Sequence, residues 1–285
     1  MIEEKTREIS EEGVSICSYP LTIVHISDLH VGSEYFVPDL LNRSIVEINE
    51  LNPHIVVVSG DLTTQGFKRE YNFVKRYLDQ IECPNIMVTP GNHDSRNVGY
   101  LHFEEIFGER YQALNVDCVT VVGADSSEPD LDNGQIGREH YGWITRMFSS
   151  NEGGIKIFVL HHHLLPIPAT GRERNIVTDA GDVLEVLIEA GVNLVLCGHK
   201  HVPYLWRLEN MLIVNAGTVS SLRLRGNTKP CYNIIKISLD HIQIIRKYPF
   251  AESVPILDLP REVLDRMAPI NQFNYGVKSL VASER

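Results

Sequence analysis

Five short polar motifs each follow an apolar, strand-like run: Asp28-Leu29-His30, Gly60-Asp61, Gly91-Asn92-His93-Asp94, His161-His162-His163 and Gly198-His199-Lys200-His201. Each ends a stretch of aliphatic residues and opens a loop. In an open α/β sheet ligands collect at the carboxyl ends of strands, so five polar clusters at such ends can converge in one cleft. Carboxylate oxygens bring charge and imidazoles bring affinity for transition metals, so the chemistry of that cleft would be metal binding.

The spacing within the motifs adds to this. Asp28 and His30 are two apart, and His199 and His201 repeat the interval. On a chain that is still extended, both side chains of such a pair point to one side and can chelate one ion. Gly60, Gly91 and Gly198 precede their polar residues, where they are expected to let the backbone turn sharply. A DxH by itself reads as a solvated loop pair, and a GD as a common turn. GNHD is more specific, because Asn and His in tandem offer a neutral amide ligand beside an imidazole acid. Five such motifs in order, each after an apolar run, are poorly explained as unrelated turns.

The elements that must position these residues follow a βαβ rhythm. Strand-like runs at 21–27, 54–59 and 85–89 alternate with helical patterns at 38–51 and 68–81. In the first helix Leu40, Leu41, Ile45 and Ile48 recur near 3.6-residue spacing, and Pro38 suits a first turn. The rhythm continues through strands at 118–124, 155–160 and 193–197 and helices at 138–148 and 179–190, with Trp143 expected to anchor core packing. After GHKH it changes: YLWRLE, MLIVNAG, CYNIIKISL and HIQIIRKY succeed one another with no room for helices. That segment is expected to be antiparallel and to form a second sheet packed on the first. The long loops 125–137 and 161–178 exceed usual connection lengths and are placed at the mouth of a site. The expected organisation is an extension at 1–20, a domain over 21–248, and a tail or short helix over 249–285 packing on the domain.

Length and composition bound the class. A chain of 285 residues, 43% hydrophobic and 22% charged, is ordinary globular material and can bury a large core. Its formal net charge of −11 disfavours nonspecific adhesion to nucleic acid or an anionic membrane, although bound cations would attract an anion locally. Cys17, Cys83, Cys118, Cys197 and Cys231 are odd in number, widely spaced and without a CxxC pair, so neither a disulfide framework nor a Cys zinc site is expected. Cys197 reads as a buried strand residue, not a thiolate. The acidic first residues do not resemble a signal peptide, and no apolar run approaches the roughly 18 residues of a membrane span. The expected compartment is the cytoplasm.

In this order, DLH, GD, GNHD, the histidine after IKIFVL and GHKH resemble the signature of the calcineurin-like metallophosphoesterase superfamily across residues 21 to 248. GNHDSR and HHHLLPIP are most similar to its branch of class III cyclic-nucleotide phosphodiesterases and glycerophosphodiesterases. The resemblance implies an α/β fold, a four-layer α/β/β/α sandwich of two mixed β-sheets flanked by helices. It implies that Asp28, His30 and His201 hold one metal, that Asn92, His161 and His199 hold another, and that Asp61 bridges them. His93 would not ligate; it would protonate the leaving oxygen or stabilise charge there. Alignment on the strand end favours His161 among the three histidines. His162 would face elsewhere, toward substrate or in a structural role, and His163 is assigned nothing.

The expected reaction is hydrolysis of a small phosphodiester of the cyclic-nucleotide or glycerophosphodiester type. Two cations would generate a bridging hydroxide and bind the nonbridging oxygens for in-line attack, with His93 supplying the proton to the departing alkoxide. GxSxG, GxxxxGK[ST] and HExxH are absent, so serine-hydrolase, kinase-like and zincin chemistries have no support. The mixed ligand set suits Mn, Fe, Zn, Co or Ni and disfavours an all-Mg site. Arg96 is a further candidate for substrate phosphate, with a salt bridge to a nearby carboxylate as its alternative. Arg172 and Arg174 are candidate substrate contacts or solvated loop charges, and Arg223 and Arg225 a small basic patch or an exposed strand face. Other readings are a phosphomonoesterase such as a protein phosphatase, a nuclease, which the acidic charge opposes, and a scaffold without catalysis, which would normally have lost ligands. A homodimer is a further implication of the resemblance.

Overall fold

The computed structural model describes residues 19–149, 154–171 and 175–262. Strand β1 (Leu21–Ile26) shows the rule that builds the rest. Leu21 and Ile23 face one way, Val24 and Ile26 the other, and all four are fully buried, as expected of a pleated strand covered on both faces. Strands β2 (Ile55–Ser59), β3 (Ile86–Thr89), β4 (Gln112–Val116), β5 (Val119–Gly123), β6 (Ile155–Val159) and β7 (Leu194–Cys197) follow, then β8 (Tyr204–Leu208), β9 (Met211–Asn215), β10 (Tyr232–Ile237), β11 (His241–Lys247) and β12 (Ser253–Pro260).

These strands form two six-stranded sheets, β12-β11-β10-β1-β2-β3 and β4-β5-β6-β7-β9-β8. Within the first, β1, β2 and β3 are parallel, while β10, β11 and β12 are antiparallel to their neighbours. In the second, β5, β6, β7 and β9 are parallel, with β4 and β8 antiparallel at the edges. One core lies between the sheets, from alternate residues such as Ile23, Val57, Val121, Ile157, Leu196 and Ile235. The opposite parity of the first sheet, with Val24, Ile26, Val56 and Val58, packs against helices α1 (Pro38–Leu51), α2 (Lys68–Leu78) and α3 (Gly99–Phe107) through Leu41, Ile45, Tyr71, Val74 and Phe103. The outer face of the second, with Val122, Phe158 and Val195, packs against α4 (Arg138–Ser149) and α5 (Ala180–Glu189) through Ile144, Phe148, Val183 and Leu187. The result is a four-layer α/β/β/α sandwich. Each fully buried aliphatic contributes on the order of 1.5–3 kcal/mol, so three such layers dominate stability.

The strands after GHKH do not make a second sheet of their own, and they are not all antiparallel, since β9 runs parallel to β7. β8 and β9 add to the second sheet beside β7, whereas β10, β11 and β12 extend the first sheet beside β1. Their apolar runs mark them as buried strands, β9 and β10 on both faces; the neighbour is chosen by long-range pairing, such as Ile23 with Ile235 and Cys197 with Asn215. Helix α3 and edge strand β4 have no counterpart in the periodicity reading. Residues 253–260, placed in the expected tail, form edge strand β12 with a bulge opposite Ile244 and Ile245. Of the expected tail or short helix over 249–285, residues 263–285 lie outside the described residues. Trp143 is half-buried and packs on the outer core of the second sheet.

Cys83, Cys197 and Cys231 are free. Cys118 is disulfide-bonded, contrary to the expectation from cysteine spacing, because distance along the chain says nothing of proximity in the fold. No helix among the described residues is long and apolar enough to cross a membrane.

Candidate metal centre

All five motifs end strands on one side of the two-sheet stack. β1 delivers Asp28 and His30, β2 Asp61, β3 Asn92 and His93, β6 His161, and β7 His199 and His201. The pairs two apart do not converge by extension. Asp28, His30, Asp61, His199 and His201 have φ of 54°, 51°, 51°, 75° and 56°, a left-handed conformation that costs a non-glycine residue roughly 1–2 kcal/mol. Such strain gathers where the surrounding structure over-determines it. Here the restraints are backbone ties: Asp28 N–H to the Gly60 carbonyl at 3.0 Å, His30 N–H to Asp61 O at 2.9 Å, and Gly198 N–H to His161 O at 2.9 Å. Thr218 Oγ1 donates to the Asp28 carbonyl at 2.6 Å and Ser220 Oγ to that of Leu29 at 3.0 Å.

Of the three glycines, only Gly60 (φ +83°) takes a left-handed turn. Gly91 and Gly198 supply room. A Cβ on Gly91 would meet Asp61 and come within 2.9 Å of His161 Cδ2, and one on Gly198 would meet Ser27 and lie 2.5 Å from Asp28 Oδ2.

The donor atoms form two groups sharing one carboxylate. In the first, His201 Nε2 lies 3.3 Å from Asp28 Oδ1 and 2.8 Å from His30 Nε2. In the second, His199 Nδ1 lies 3.0 Å from Asn92 Oδ1 and 3.3 Å from His161 Nε2. Asp61 Oδ2 is 3.6 Å from His30 Nε2 and 3.3 Å from His161 Nε2, while its Oδ1 accepts the His93 N–H at 2.9 Å. Three histidines donate Nδ1–H to a backbone carbonyl, His161 to Ser59 (2.8 Å), His201 to Arg223 (2.5 Å) and His93 to Thr64 (2.8 Å). That orients the rings and turns each Nε2, the nitrogen available to a metal once it carries no proton, toward the cleft. His93 stands edge-on to His30 with ring centroids 4.8 Å apart.

Burial and mutual charge set the electrostatics. Burial works to raise the Asp28 and Asp61 carboxyls, but the imidazoles outweigh it: His201 and His161 hold Asp28 below its ordinary range, and His161, His93 and His30 hold Asp61 well below. Burial lowers His30 to about 3 against the pull of Asp61 and Asp28, and lowers His199 well below its ordinary value, helped by His162 and His161. For His161 burial works downward, yet the Asp61 and Asp28 carboxylates carry it up to about 9; His201 is likewise raised by Asp28. Two buried carboxylates held below their ordinary range beside converging imidazole nitrogens, two of them 2.8 Å apart, make a donor set that suits a cation. Three overlapping groups are close enough to hold a metal ion: Asp28, His30 and His201; His30, Asp61 and His93; and Asp61, His161 and His199. Oxygen and imidazole donors together fit a first-row transition metal.

The remaining candidates have other occupations. His162 is fully buried: Ser126 Oγ accepts its backbone N–H at 3.1 Å and donates to Nδ1 at 2.9 Å, and Nε2–H donates to the Asp132 carbonyl at 3.3 Å. It is a prop beneath the 125–137 loop and presents no surface to substrate. Arg96 makes the salt bridge, Nη2 to Asp132 Oδ1 at 2.8 Å. Its Nη1 lies 3.0 Å from His93 Nδ1, the nitrogen that also faces the Thr64 carbonyl at 2.8 Å. Arg223 and Arg225 lie exposed in the loop between β9 and β10, not on a strand face. Burial pushes the Cys197 thiol up, consistent with a buried strand residue. Arg172 and Arg174 lie outside the described residues.

The spacing did not reveal Asp94, last residue of GNHD. Its fully buried carboxylate accepts from Gly91 N–H (2.9 Å), Leu62 N–H (3.0 Å) and both Thr63 N–H and Oγ1 (2.8 Å each), locking the GD loop to the GNHD loop. Burial and the neighbouring Asp61 charge raise it to about 7. The motif itself carried the signal. The backbone carbonyls that orient the histidines have none, since every residue has one.

A probable cyclic nucleotide phosphodiesterase of Xenorhabdus bovienii is 25% identical over 235 residues, covering 76% of this chain and 92% of its own. A probable glycerophosphodiester phosphodiesterase of Arcobacter nitrofigilis is 26% identical over 235 residues, 73% of this chain and 83% of its own. The solved purple acid phosphatase of yellow lupin seeds superposes on 87% of this chain and 55% of its own at a TM-score of 0.67 and 14% identity, a likeness of fold. The family model for calcineurin-like phosphoesterases matches residues 21–203, more than half of the chain, and the protein therefore belongs to the calcineurin-like phosphoesterase family of phosphoric ester hydrolases.

Proposed function

We propose that the protein is a binuclear metal-dependent phosphodiesterase acting on small diesters of the cyclic-nucleotide or glycerophosphodiester type. The observation that carries this reading is the buried pair of donor groups hinged on Asp61, with the His93 Nε2 edge free beside it. Asp28, His30 and His201 would hold one ion, Asn92, His161 and His199 the other, with Asp61 between them. Two bound cations would supply the Lewis acidity and activated water for in-line hydrolysis of a phosphodiester. The chain's own part is to hold the donors rigid, neutralise the centre and place a proton. His93, its Nδ1–H committed to Thr64, turns Nε2 to the cleft; when the ring carries a second proton there, as imidazolium, it would give that proton to the departing alkoxide and return to the neutral ring. The names of the two relatives support a diester substrate. The homodimer implied by the resemblance is read from mass in solution by light scattering.

The test is hydrolysis of bis-p-nitrophenyl phosphate against p-nitrophenyl phosphate by metal-stripped protein reloaded with Mn. Diester turnover restored by Mn is expected. His93→Ala should lower it by roughly 10²–10⁴-fold with metal content unchanged, and the loss should shrink for a leaving group that needs no proton. Preference for the monoester would move the assignment to a phosphatase, and no turnover with any metal would revive the scaffold reading.

A further inference from the structure

We infer that Asp132 is a positioning residue for the Asn92 amide, and that the exposed Arg96–Asp132 pair thereby controls the affinity of the second metal group. The inference rests on the reading of Asn92 as a ligand. An amide can present its oxygen or its NH₂ to a cation, and only the oxygen binds. Asn92 Nδ2 donates to Asp132 Oδ1 at 3.2 Å while Oδ1 faces His199 Nδ1 at 3.0 Å. An ionised carboxylate accepts and never donates, so Asp132 selects the amide orientation that turns oxygen inward.

Asp132 is held for this task. Arg96 Nη2 donates to the same Oδ1 at 2.8 Å. Around it the 125–137 loop is tied to the GNHD loop by Ser95 Oγ with Ser127 Oγ at 2.5 Å and by Asn97 N–H to Asp130 Oδ1 at 3.0 Å. His162 grips the Asp132 carbonyl from below, and Gly134 closes on that ring, where a Cβ would come within 2.6 Å. His161 and His201 take their orientation from backbone carbonyls. Asn92 takes its own from a side chain that is 58% exposed. An exposed ion pair contributes little to folding, so the pair can be altered without losing the fold.

The experiment is equilibrium dialysis of metal-free protein against Mn(II), with bound metal counted, for wild type, Asp132→Ala, Asp132→Asn, Asn92→Ala and the Asn92→Ala/Asp132→Ala double variant. Circular dichroism verifies each fold. Asp132→Ala should weaken one of two Mn sites by about 10–100-fold and leave the other unchanged. Asp132→Asn, which keeps an acceptor oxygen, should recover much of the loss. Asp132→Ala should add nothing once Asn92 is alanine, the non-additivity expected of two residues acting through one contact. The inference is overturned if Asp132→Ala binds both ions as wild type does, weakens both sites equally, or adds its full effect to Asn92→Ala. An Asn92→Ala that binds both ions as tightly as wild type would overturn the ligand assignment and the inference with it. Two intact Mn sites without diester turnover would sink the activity reading alone.

Discussion

The two halves of the proposed metal centre are built differently. Asp28, His30 and His201 sit under buried restraints: Thr218 and Ser220 hydroxyls on the Asp28 and Leu29 carbonyls, and the Arg223 carbonyl on His201. The other half shares one such tie, His161 to the Ser59 carbonyl, but its amide leans on Asp132 at the surface. All three donors of the first half are left-handed, against His199 alone in the second. The first half is therefore a fixed seat set by strained backbone, and the second an adjustable one set partly by a side chain in water. A buried hydroxyl on a strand-end carbonyl is changed only by disturbing the packing around it, whereas an exposed carboxylate can be changed with little effect on the fold.

Because Asp61 is shared, Asp61→Ala should erase the difference and bring both halves down together. Turnover should fall by at least about 10²–10³-fold, as when a principal electrostatic group is deleted, and bound Mn should drop at both sites. Retention of one full-affinity site would show that the halves do not share this carboxylate.

Gly198→Ala should strike the first half selectively, since the added Cβ meets Ser27 and Asp28. Overpacking of a rigid site costs roughly 1–3 kcal/mol, read as a lower Tm and weaker binding at one Mn site. A variant as stable as wild type would mean that the seat can relax, and the contrast between the halves would fail.

The smallest effect concerns pH, where the halves should behave alike. In the metal-free protein His161 is raised to about 9 and His201 is raised as well. Each binds metal only when neutral, so at neutral pH an incoming ion must displace the proton of His161. Affinity should rise with pH up to about 9, by at most about tenfold per unit for each proton released. Calorimetry in buffers of different ionisation enthalpy counts those protons, and binding that ignores pH would contradict the charge arrangement.

Legibility in the sequence divides along physical lines. Helices α1, α2, α4 and α5 and the parallel strands could be read because burial of one face or two imposes a period on residue type. Helix α3 escaped because it is short: in GYLHFEEIF only Phe103, Ile106 and Phe107 mark the face that packs on the first sheet's helical layer, within barely two turns. Edge strand β4 buries none of its residues fully, so selection for apolar character there is weak. At the site, all seven proposed ligands and His93 were legible, since metal chemistry restricts residue type. Asp132 lies in a polar loop, DSSEPDLDNGQIG, where one more acidic residue carries no mark.

By itself the sequence determined the chemistry on offer, the donor types and their order at strand ends, because those depend on side-chain identity and local period. It also determined the layered class of the fold through runs buried on two faces. The tertiary structure alone decided that the late strands divide between two sheets, that the paired ligands converge through left-handed turns and not through extension, and that Cys118 is bonded. It also decided which carbonyl or carboxylate stands behind each ligand. These depend on contacts between residues tens to hundreds apart, such as His199 N–H with Asp28, and backbone groups carry no residue-specific signature by which such contacts could be anticipated.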